Sequence, residues 1–424
     1  MCATKSIDQL RIAVTPLLAA LASLKELPGE GHWAFKRDGS GSVETKLSWM
    51  SLIQRHQKTV DKLEPAIKQW VSTYYPNHSE RVGTIAMGFG PIQPHAVLWT
   101  IATEIYNRYG HFQFEPEQLD AVLAELIKFF ESDCYQINVF AVALNLQGTD
   151  DLPPIPFPGG LTLRPITNAE LTRFYGGNSF FNHHSMPTVT PQFVFVSELS
   201  LPKEFEPSGG SPSPWDAIFA NLDRGMLALA TFKEGGAAGY DGIRYEPRGM
   251  AVGLTVGMTY RSQEMSASPF NLKMQDVAPL TEHIKRFSDI HSTLEIACQR
   301  LVDATRRTKP RDVIMDSVIG LESILLTGSQ TESSFRFALN YSTLVPNDRR
   351  AAYEIAKDLY SLRSKIAHGS SVSEPVAIAG KKMNLHEVAK IAQDSLRLAI
   401  SKFIGDSKLP PYCGGGYWIN LHTR

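Results

Sequence analysis

An arginine and a histidine in the C-terminal third of the chain are the side chains best suited to catalysis. Arg363 and His368 enclose four residues, and Gly369 follows directly. A histidine titrates near neutral pH and can move a proton. A guanidinium can bind a phosphate through two parallel hydrogen bonds and stabilise its growing negative charge. Together they predict attack on a phosphodiester, with His368 as general acid or base and Arg363 as phosphate clamp.

The spacing sets a condition on how these two side chains meet. On an ideal helix, residues five apart point about 140° away from each other. We therefore expect the helix to end at His368, with Gly369 in the left-handed conformation, so that the imidazole can turn toward Arg363. The same spacing also occurs on ordinary helices, where the arginine is solvated and the histidine caps the C-terminal end. Spacing alone leaves both interpretations open.

The residues that must position this pair have the pattern of a helical bundle. From about residue 279 onward, apolar residues recur at helical spacing and the connections are short, which predicts antiparallel helices. The clearest rows are Ile284–Leu301, Ile314–Leu325, Ile355–Ile366 and Leu385–Phe403.

The preceding residues have a different character. Residues 1–134 are predicted to be mainly helical, and residues 135–278 to be α+β. In the second of these regions, residues 135–147 alternate apolar and polar positions with one slip near Phe140–Val142, which predicts a strand with a bulge. The predicted fold class is therefore an α+β N-terminal region followed by an all-α bundle over residues 279–424. Whether 1–134 and 135–278 form one domain is left open.

Three stretches of the predicted bundle resemble the HEPN superfamily (higher eukaryotes and prokaryotes nucleotide-binding), in particular its Apea-like group. They match the acidic helix, the arginine-bearing helix and the closing R-S-x-x-x-H-G signature of that family: Asp316–Leu326, Ser334–Val345 and Leu359–Gly369. The resemblance covers roughly residues 280–405. It implies a helical bundle that dimerises and, in active members, a metal-independent endoribonuclease with Arg363 and His368 as the catalytic pair.

The resemblance also implies a mechanism and supporting residues. The 2′-hydroxyl of RNA would attack the adjacent phosphate, and a second Arg–His pair from a dimer would complete the acid–base set. Glu322 and Arg336 match polar family positions, either in support of catalysis or as an ion pair within the bundle. Lys365 would contact phosphate or simply face solvent. Ser364 stands where many nucleases of the family have Asn, Asp or His. It keeps open a non-catalytic HEPN module for dimerisation or for binding RNA or a partner.

Charge is divided unevenly along the chain. The whole chain carries 42 Lys+Arg and 43 Asp+Glu, which by itself argues against a dedicated nucleic-acid or membrane-surface protein. Residues 281–424, however, hold 20 basic and 15 acidic residues, against 22 and 28 in residues 1–280. The basic bundle suits phosphate binding, and its densest run supplies four candidate RNA-binding residues: Arg306, Arg307, Lys309 and Arg311.

Several other classes of protein are excluded or disfavoured. Four cysteines without a CxxC spacing disfavour a disulfide scaffold or a zinc site, and no cofactor or metal is expected. His386-Glu387 starts like a zinc protease motif, but Lys390 occupies the place of the second histidine. No signal peptide and no membrane span of about 18 apolar residues is evident, so a cytoplasmic protein is expected.

The layout resembles that of prokaryotic anti-phage defence proteins, abortive-infection effectors and toxins. Its expected partners are RNA, including tRNA, a second copy of the chain, and a phage-derived trigger. The N-terminal region would sense that trigger or select the RNA. This role is an analogy, because a fold does not determine function.

Overall fold

A computed structural model gives the fold of the 424-residue chain. It describes residues 2–23, 32–35, 41–44, 49–76, 82–84, 88–90, 93–175, 190–202, 214–235, 237–250, 252, 257–260, 269–287, 292–326 and 333–405. The described residues form a mixed α+β structure. None of its helices has the length and apolar content needed to cross a bilayer.

The helices are numbered here in chain order. They are α1 (Cys2–Ala22), α2 (Trp49–Tyr74), α3 (Pro94–Tyr109), α4 (Pro116–Glu131), α5 (Asn168–Tyr175), α6 (Pro214–Phe232), α7 (Val277–Phe287), α8 (Ser292–Arg306), α9 (Pro310–Leu325), α10 (Ser333–Leu344), α11 (Arg349–Ala367) and α12 (Leu385–Gly405). Proline occupies the first helical turn of α3, α4 and α9, where its missing N–H removes no intrahelical bond.

The strands are short apart from two. They are β1 (His32–Phe35), β2 (Gly41–Glu44), β3 (Val82–Thr84), β4 (Gly88–Gly90), β5 (Cys134–Leu144), β6 (Leu146–Gln147), β7 (Ile155–Pro156), β8 (Thr162–Pro165), β9 (Phe193–Pro202), β10 (Gly239–Tyr240), β11 (Gly242–Pro247), β12 (Gly257–Tyr260), β13 (Phe270–Asn271), β14 (Val376–Ile378) and β15 (Lys381–Met383).

The chain divides into two compact units. The first comprises Met1–Val142, Ile166–Ser213 and Gly242–Arg261, and the second comprises Ala143–Pro165, Pro214–Asp241 and Ser262–Arg424. This division differs from the sequence boundaries at 134 and 278. Residues 214–241 belong with the C-terminal helices because α6 packs against α8.

The first unit combines helices with a sheet. Helices α1 to α4 pack around buried side chains such as Leu17, Trp70 and Leu123. Within this unit the strands of the sheet have the order β12-β11-β5-β9, and β11 is antiparallel to both of its neighbours. Residues 139–143 of β5 are all buried, so both faces of the strand are covered. This explains the lapse in alternation near Phe140–Val142. The strand is interrupted at Asn145, whose φ is 57°.

The second unit contains the helices that the apolar rows predicted. Helices α8, α9 and α12 pack on one another, α10 packs on α11, and α11 contacts α9. The predicted core residues Ile314, Val318 and Leu321 of α9 are at most 1% exposed. The row from Ile284 to Leu301 is divided between two helices, α7 and α8.

The prediction of an all-α C-terminal region is wrong in one place. Strands β14 and β15 form an antiparallel hairpin between α11 and α12. Its turn residues Ala379 and Gly380 have φ of 48° and 78°, as a tight two-residue hairpin requires. The backbone N–H of Ala379 donates to Oδ2 of Asp358 at 2.8 Å. This bond to α11 holds the alanine in a conformation that it rarely adopts.

Candidate active site

Helix α11 carries the predicted catalytic pair and is fixed by a buried apolar row. Asp348 caps its N-terminus by accepting a hydrogen bond from the backbone N–H of Ala351 at 3.3 Å. Ala352, Ala356 and Leu359 are at most 3% exposed. Because these residues share one face of the helix, their burial fixes the direction in which each remaining side chain projects.

The C-terminal end of α11 is a Schellman motif. His368 is the C-cap, and Gly369 has a φ of 68°. The backbone N–H of Ser370 donates to the carbonyl of Lys365 at 2.9 Å, and that of Gly369 donates to Ile366 at 3.0 Å. Both bonds satisfy carbonyls that the end of a helix leaves open. Gly369 is therefore the left-handed terminator that the sequence predicted, and the exposed His368 lies at the point where the chain leaves the helix.

Arg363 lies one turn earlier on α11 and is paired with an acid on α9. Its Nη2 atom is 3.1 Å from Oε2 of Glu322, and the two side chains are only 28% and 19% exposed. Burial raises the pKa of Glu322, and the positive charge of Arg363 partly opposes that rise. The ion pair therefore compensates a carboxylate that its surroundings disfavour.

The ion pair leaves part of the guanidinium unused. The Nε atom of Arg363 is buried and has no hydrogen-bond acceptor among the described residues. A guanidinium carries five N–H donors, and a buried donor without a partner costs about 1–3 kcal/mol. Because this atom is out of contact with solvent, an oxyanion would have to approach the exposed part of the Arg363 side chain, which Glu322 holds in place.

The other predicted supporting residues differ in how exposed they are. Ser364 is half-buried and its carbonyl accepts the N–H of His368 at 3.1 Å. Lys365 and Arg336 are exposed. Glu322 forms an ion pair within the bundle, and its partner is Arg363 on α11. Arg336 lies near the start of α10, where its side chain faces solvent.

The predicted RNA-binding run is partly engaged in structural contacts. Nε of Arg307 donates to Oδ2 of Asp316 at 2.9 Å, and Nη2 of Arg311 donates to the carbonyl of Val372 at 3.2 Å. Lys309 is exposed just before α9, and Arg306 is half-buried at the end of α8. The run is therefore not a uniform basic surface, because Arg307 and Arg311 are already held by partners within the protein.

An ion-pair cluster between α8 and α9 was not singled out from the sequence. The side chain of Asp316 is only 8% exposed and accepts hydrogen bonds from Arg307 and, at 3.1 Å, from Nη1 of Arg300. Its sequence signal was an acidic residue inside an otherwise apolar helical row. A buried carboxylate needs such partners, and the two arginines provide them.

The zinc-protease-like start at His386-Glu387 has a structural explanation. Glu387 accepts the backbone N–H of Asn384 at 2.8 Å, and Asn384 accepts that of Glu387 at 3.0 Å. This reciprocal capping box begins α12. Lys390 pairs with Glu234 and lies 3.7 Å from Asp394. In the part of the chain that the structure describes, no three His, Cys, Asp or Glu side chains are grouped to hold a metal ion.

Comparisons with known proteins identify no relative. No family model, curated protein or solved structure matches the chain. The likeness to HEPN proteins therefore depends on the three stretches of sequence given above.

Proposed function

We propose that the chain is a HEPN-type endoribonuclease in which Arg363 and His368 act on RNA without a metal ion. The observation that carries the proposal is the arrangement at the end of α11. A half-buried arginine that Glu322 holds in place lies five residues before an exposed histidine, and the helix terminates at that histidine. This arrangement offers a phosphate clamp and a proton carrier on one element.

The reaction uses the RNA as its own nucleophile. His368 takes the proton of a 2′-hydroxyl, whose oxygen attacks the adjacent phosphorus, and the bond from phosphorus to the 5′-oxygen breaks. The leaving oxygen receives a proton from a second acid, and the products are a 2′,3′-cyclic phosphate and a 5′-hydroxyl. Arg363 stabilises the charge on the non-bridging oxygens. A homodimer would supply the second acid through its other His368.

The rest of the chain fits a regulated effector. We assign to its N-terminal region the sensing of a phage-derived trigger or the selection of RNA such as tRNA. The acidic excess of residues 1–280 and the basic excess of residues 281–424 concentrate the phosphate-attracting charge in the C-terminal part of the chain. Growth arrest on expression, relieved by His368→Ala, is the expected cellular result.

The direct test is cleavage of total RNA and of tRNA in EDTA. Wild-type protein is expected to leave cyclic-phosphate ends, and Arg363→Ala and His368→Ala are each expected to reduce cleavage by 10²-fold or more. His386→Ala is the matched control, because His386 is also an exposed histidine of the second unit, on α12. Unchanged cleavage in the Arg363 and His368 variants would refute the assignment of the site.

A second function is favoured by a different observation. Arg363 is already engaged by Glu322, as in a structural ion pair of a non-catalytic HEPN module that dimerises or binds RNA. Ser364 is compatible with that function. RNA binding by a wild-type protein that cleaves no RNA in the presence of its trigger would establish this second function and exclude the first.

A further inference from the structure

We propose that one face of α10 and α11 binds single-stranded RNA, with Phe335 and Tyr353 stacking on its bases and Lys357 contacting its phosphates. The proposal rests on the ribonuclease function in one respect, because it takes the bound RNA to run toward His368. Binding itself is measurable without cleavage. We call this surface the stacking track, comprising Phe335, Arg350, Tyr353, Lys357 and Tyr360.

An aromatic pair open to solvent forms the centre of the stacking track. Phe335 is 52% exposed, which is unusual for so large an apolar side chain. Its ring lies 6.4 Å from that of Tyr353, at an angle of 68°, and Tyr353 is half-buried. Tyr353 therefore contacts Phe335, while about half of the phenylalanine surface remains open to solvent.

Tyr360 extends the track along α11. Its ring lies 5.2 Å from that of the fully buried Phe337, which fixes the tyrosine while leaving it partly exposed. Rigid aromatic rings on a helix lose little entropy when a base stacks on them. Each base–aromatic stack contributes about 1–3 kcal/mol.

Basic residues lie on the same face of α11. At 100° per residue, Arg350, Tyr353, Lys357, Tyr360 and Ser364 fall within an arc of about 80°. Arg350 and Lys357 are exposed, and neither forms an ion pair with any described residue. The helix as a whole carries five basic and two acidic residues, so the face attracts phosphate.

The two acids of α11 leave this charge largely intact. Glu354 is half-buried beside the track. Asp358 is engaged by the backbone N–H of Ala379 in the β14–β15 hairpin. The exposed cations favour an anionic partner, and the exposed rings favour flat apolar groups, so the surface fits a polyanion that carries bases.

The dimensions favour a single strand over a duplex. At 1.5 Å per residue, Tyr353 and His368 lie about 22 Å apart along the helix, which suits a few nucleotides of single-stranded RNA. Bases within a duplex are already stacked and cannot receive a protein ring. Single-stranded bases can splay outward and stack on aromatic side chains.

The test measures RNA binding by the full chain in a variant that is expected not to cleave RNA. Fluorescence anisotropy would follow His368→Ala protein with a labelled 12-nucleotide single strand and with the duplex of the same sequence. Phe335→Ala and Tyr353→Ala in this background are each expected to weaken single-strand binding by about 5- to 100-fold. Phe335→Leu keeps the apolar bulk without a ring and is expected to lose nearly as much. Lys357→Gln should lower the slope of log affinity against log salt by about 0.7.

Matched controls lie on the same unit. Ile296 on α8 is 53% exposed, so Ile296→Ala removes an exposed apolar side chain elsewhere and should leave binding unchanged. Lys402→Gln on α12 is the matched control for Lys357→Gln, since Lys402 is also exposed.

The possible outcomes test the stacking track and the ribonuclease function independently of each other. Equal binding of duplex and single strand, or undiminished binding by Phe335→Ala, overturns the track even if wild type cleaves RNA. Loss of a dimer in Phe335→Ala, seen by sedimentation, also overturns it by showing an interface between copies. Ring-dependent single-strand binding by a wild type that cleaves nothing supports the track and refutes the ribonuclease.

Discussion

The carboxylate of Glu322 on α9 lies 3.1 Å from the guanidinium of Arg363 on α11. This ion pair connects the acidic helix of the bundle to the helix that ends at His368. Because burial already raises the pKa of Glu322, the carboxylate depends on the arginine for compensation. Any substitution at Arg363 therefore changes the stability of the protein as well as its chemistry.

Arg363→Ala is expected to lower the free energy of unfolding in a pH-dependent way. Without the arginine the pKa of Glu322 rises further. A carboxyl group with a raised folded-state pKa contributes its stability below the unfolded pKa and loses it as pH rises through the folded pKa. The loss should be about 1–2 kcal/mol at pH 8, discounted for partial exposure, and smaller at pH 5. Urea unfolding at both pH values measures it.

The double variant Glu322→Gln, Arg363→Ala isolates catalysis from stability. It removes the unpaired carboxylate and should recover most of the stability lost at pH 8, while cleavage stays abolished. Lys365→Ala is the control, since Lys365 is exposed on the same turn. An equal loss of stability in the single and double variants would contradict the dependence of Glu322 on Arg363.

Asp316→Asn is expected to destabilise the protein by about 1–3 kcal/mol. The carboxylate is 8% exposed between Arg300 and Arg307, which are themselves 39% and 44% exposed. The arginines can be solvated after the substitution, so the loss is smaller than for a fully buried pair. Thermal unfolding measures it. Lys309→Gln, a neighbouring basic residue with an exposed side chain, should leave stability unchanged, and a similar loss there would contradict the assignment.

His283 is expected to make the protein sensitive to acid. Its ring packs near Phe232 and Phe287 and its Nε2 lies 3.0 Å from Oγ1 of Thr231. Burial lowers its pKa to about 4, so the unfolded chain binds a proton at higher pH than the folded chain does. Stability is then complete above the ordinary pKa of 6.5 and falls as pH decreases toward 4, by about 3 kcal/mol.

Denaturant titrations from pH 7 to pH 4.5 check this expectation. His283→Gln should flatten the profile across that range, at some cost in stability at pH 7. His386→Gln, which changes an exposed histidine on α12, should reproduce the wild-type profile. A wild-type profile that is flat to begin with would show that His283 is not the group responsible.

Gly369→Ala is expected to cost about 1 kcal/mol and to reduce RNA cleavage. Its φ is 68°, and a Cβ atom there would meet no atom within 4 Å, so the cost arises from backbone conformation alone. Gly369→Asn should cost less, because asparagine tolerates this conformation. Gly110→Ala is a close control: that glycine ends α3 with a φ of 74° and equally open space. It should lose similar stability and keep its cleavage activity.

The sequence was most informative where structure depends on near neighbours. The apolar spacing of Ile314, Val318 and Leu321 predicts α9 because each residue repeats on one face of the same helix. Gly369 was identified as a terminator for an equally local reason. These features require no knowledge of what packs against them.

Features that depend on distant residues were missed. The β14–β15 hairpin has Ala379 in its turn, a weak turn signal, and its anchor Asp358 lies 21 residues earlier. The sequence also could not predict the ion-pair partner of Glu322. Arg336 and Arg363 carry the same charge, and only the packing of the helices determines which of them lies near Glu322. The spacing in the sequence identified the two catalytic candidates, but it did not predict which residues surround them.

The segment that follows His368 is secured at both of its ends. The N–H groups of Gly369 and Ser370 bind the last turn of α11, the carbonyl of Val372 accepts a bond from Arg311, and the hairpin after Val376 is anchored by Asp358. A single proteolytic nick within 371–375 would therefore leave two fragments that stay docked through their own contacts. The protein should accordingly be obtainable as two separately expressed pieces that reassemble, divided just beyond its candidate catalytic histidine.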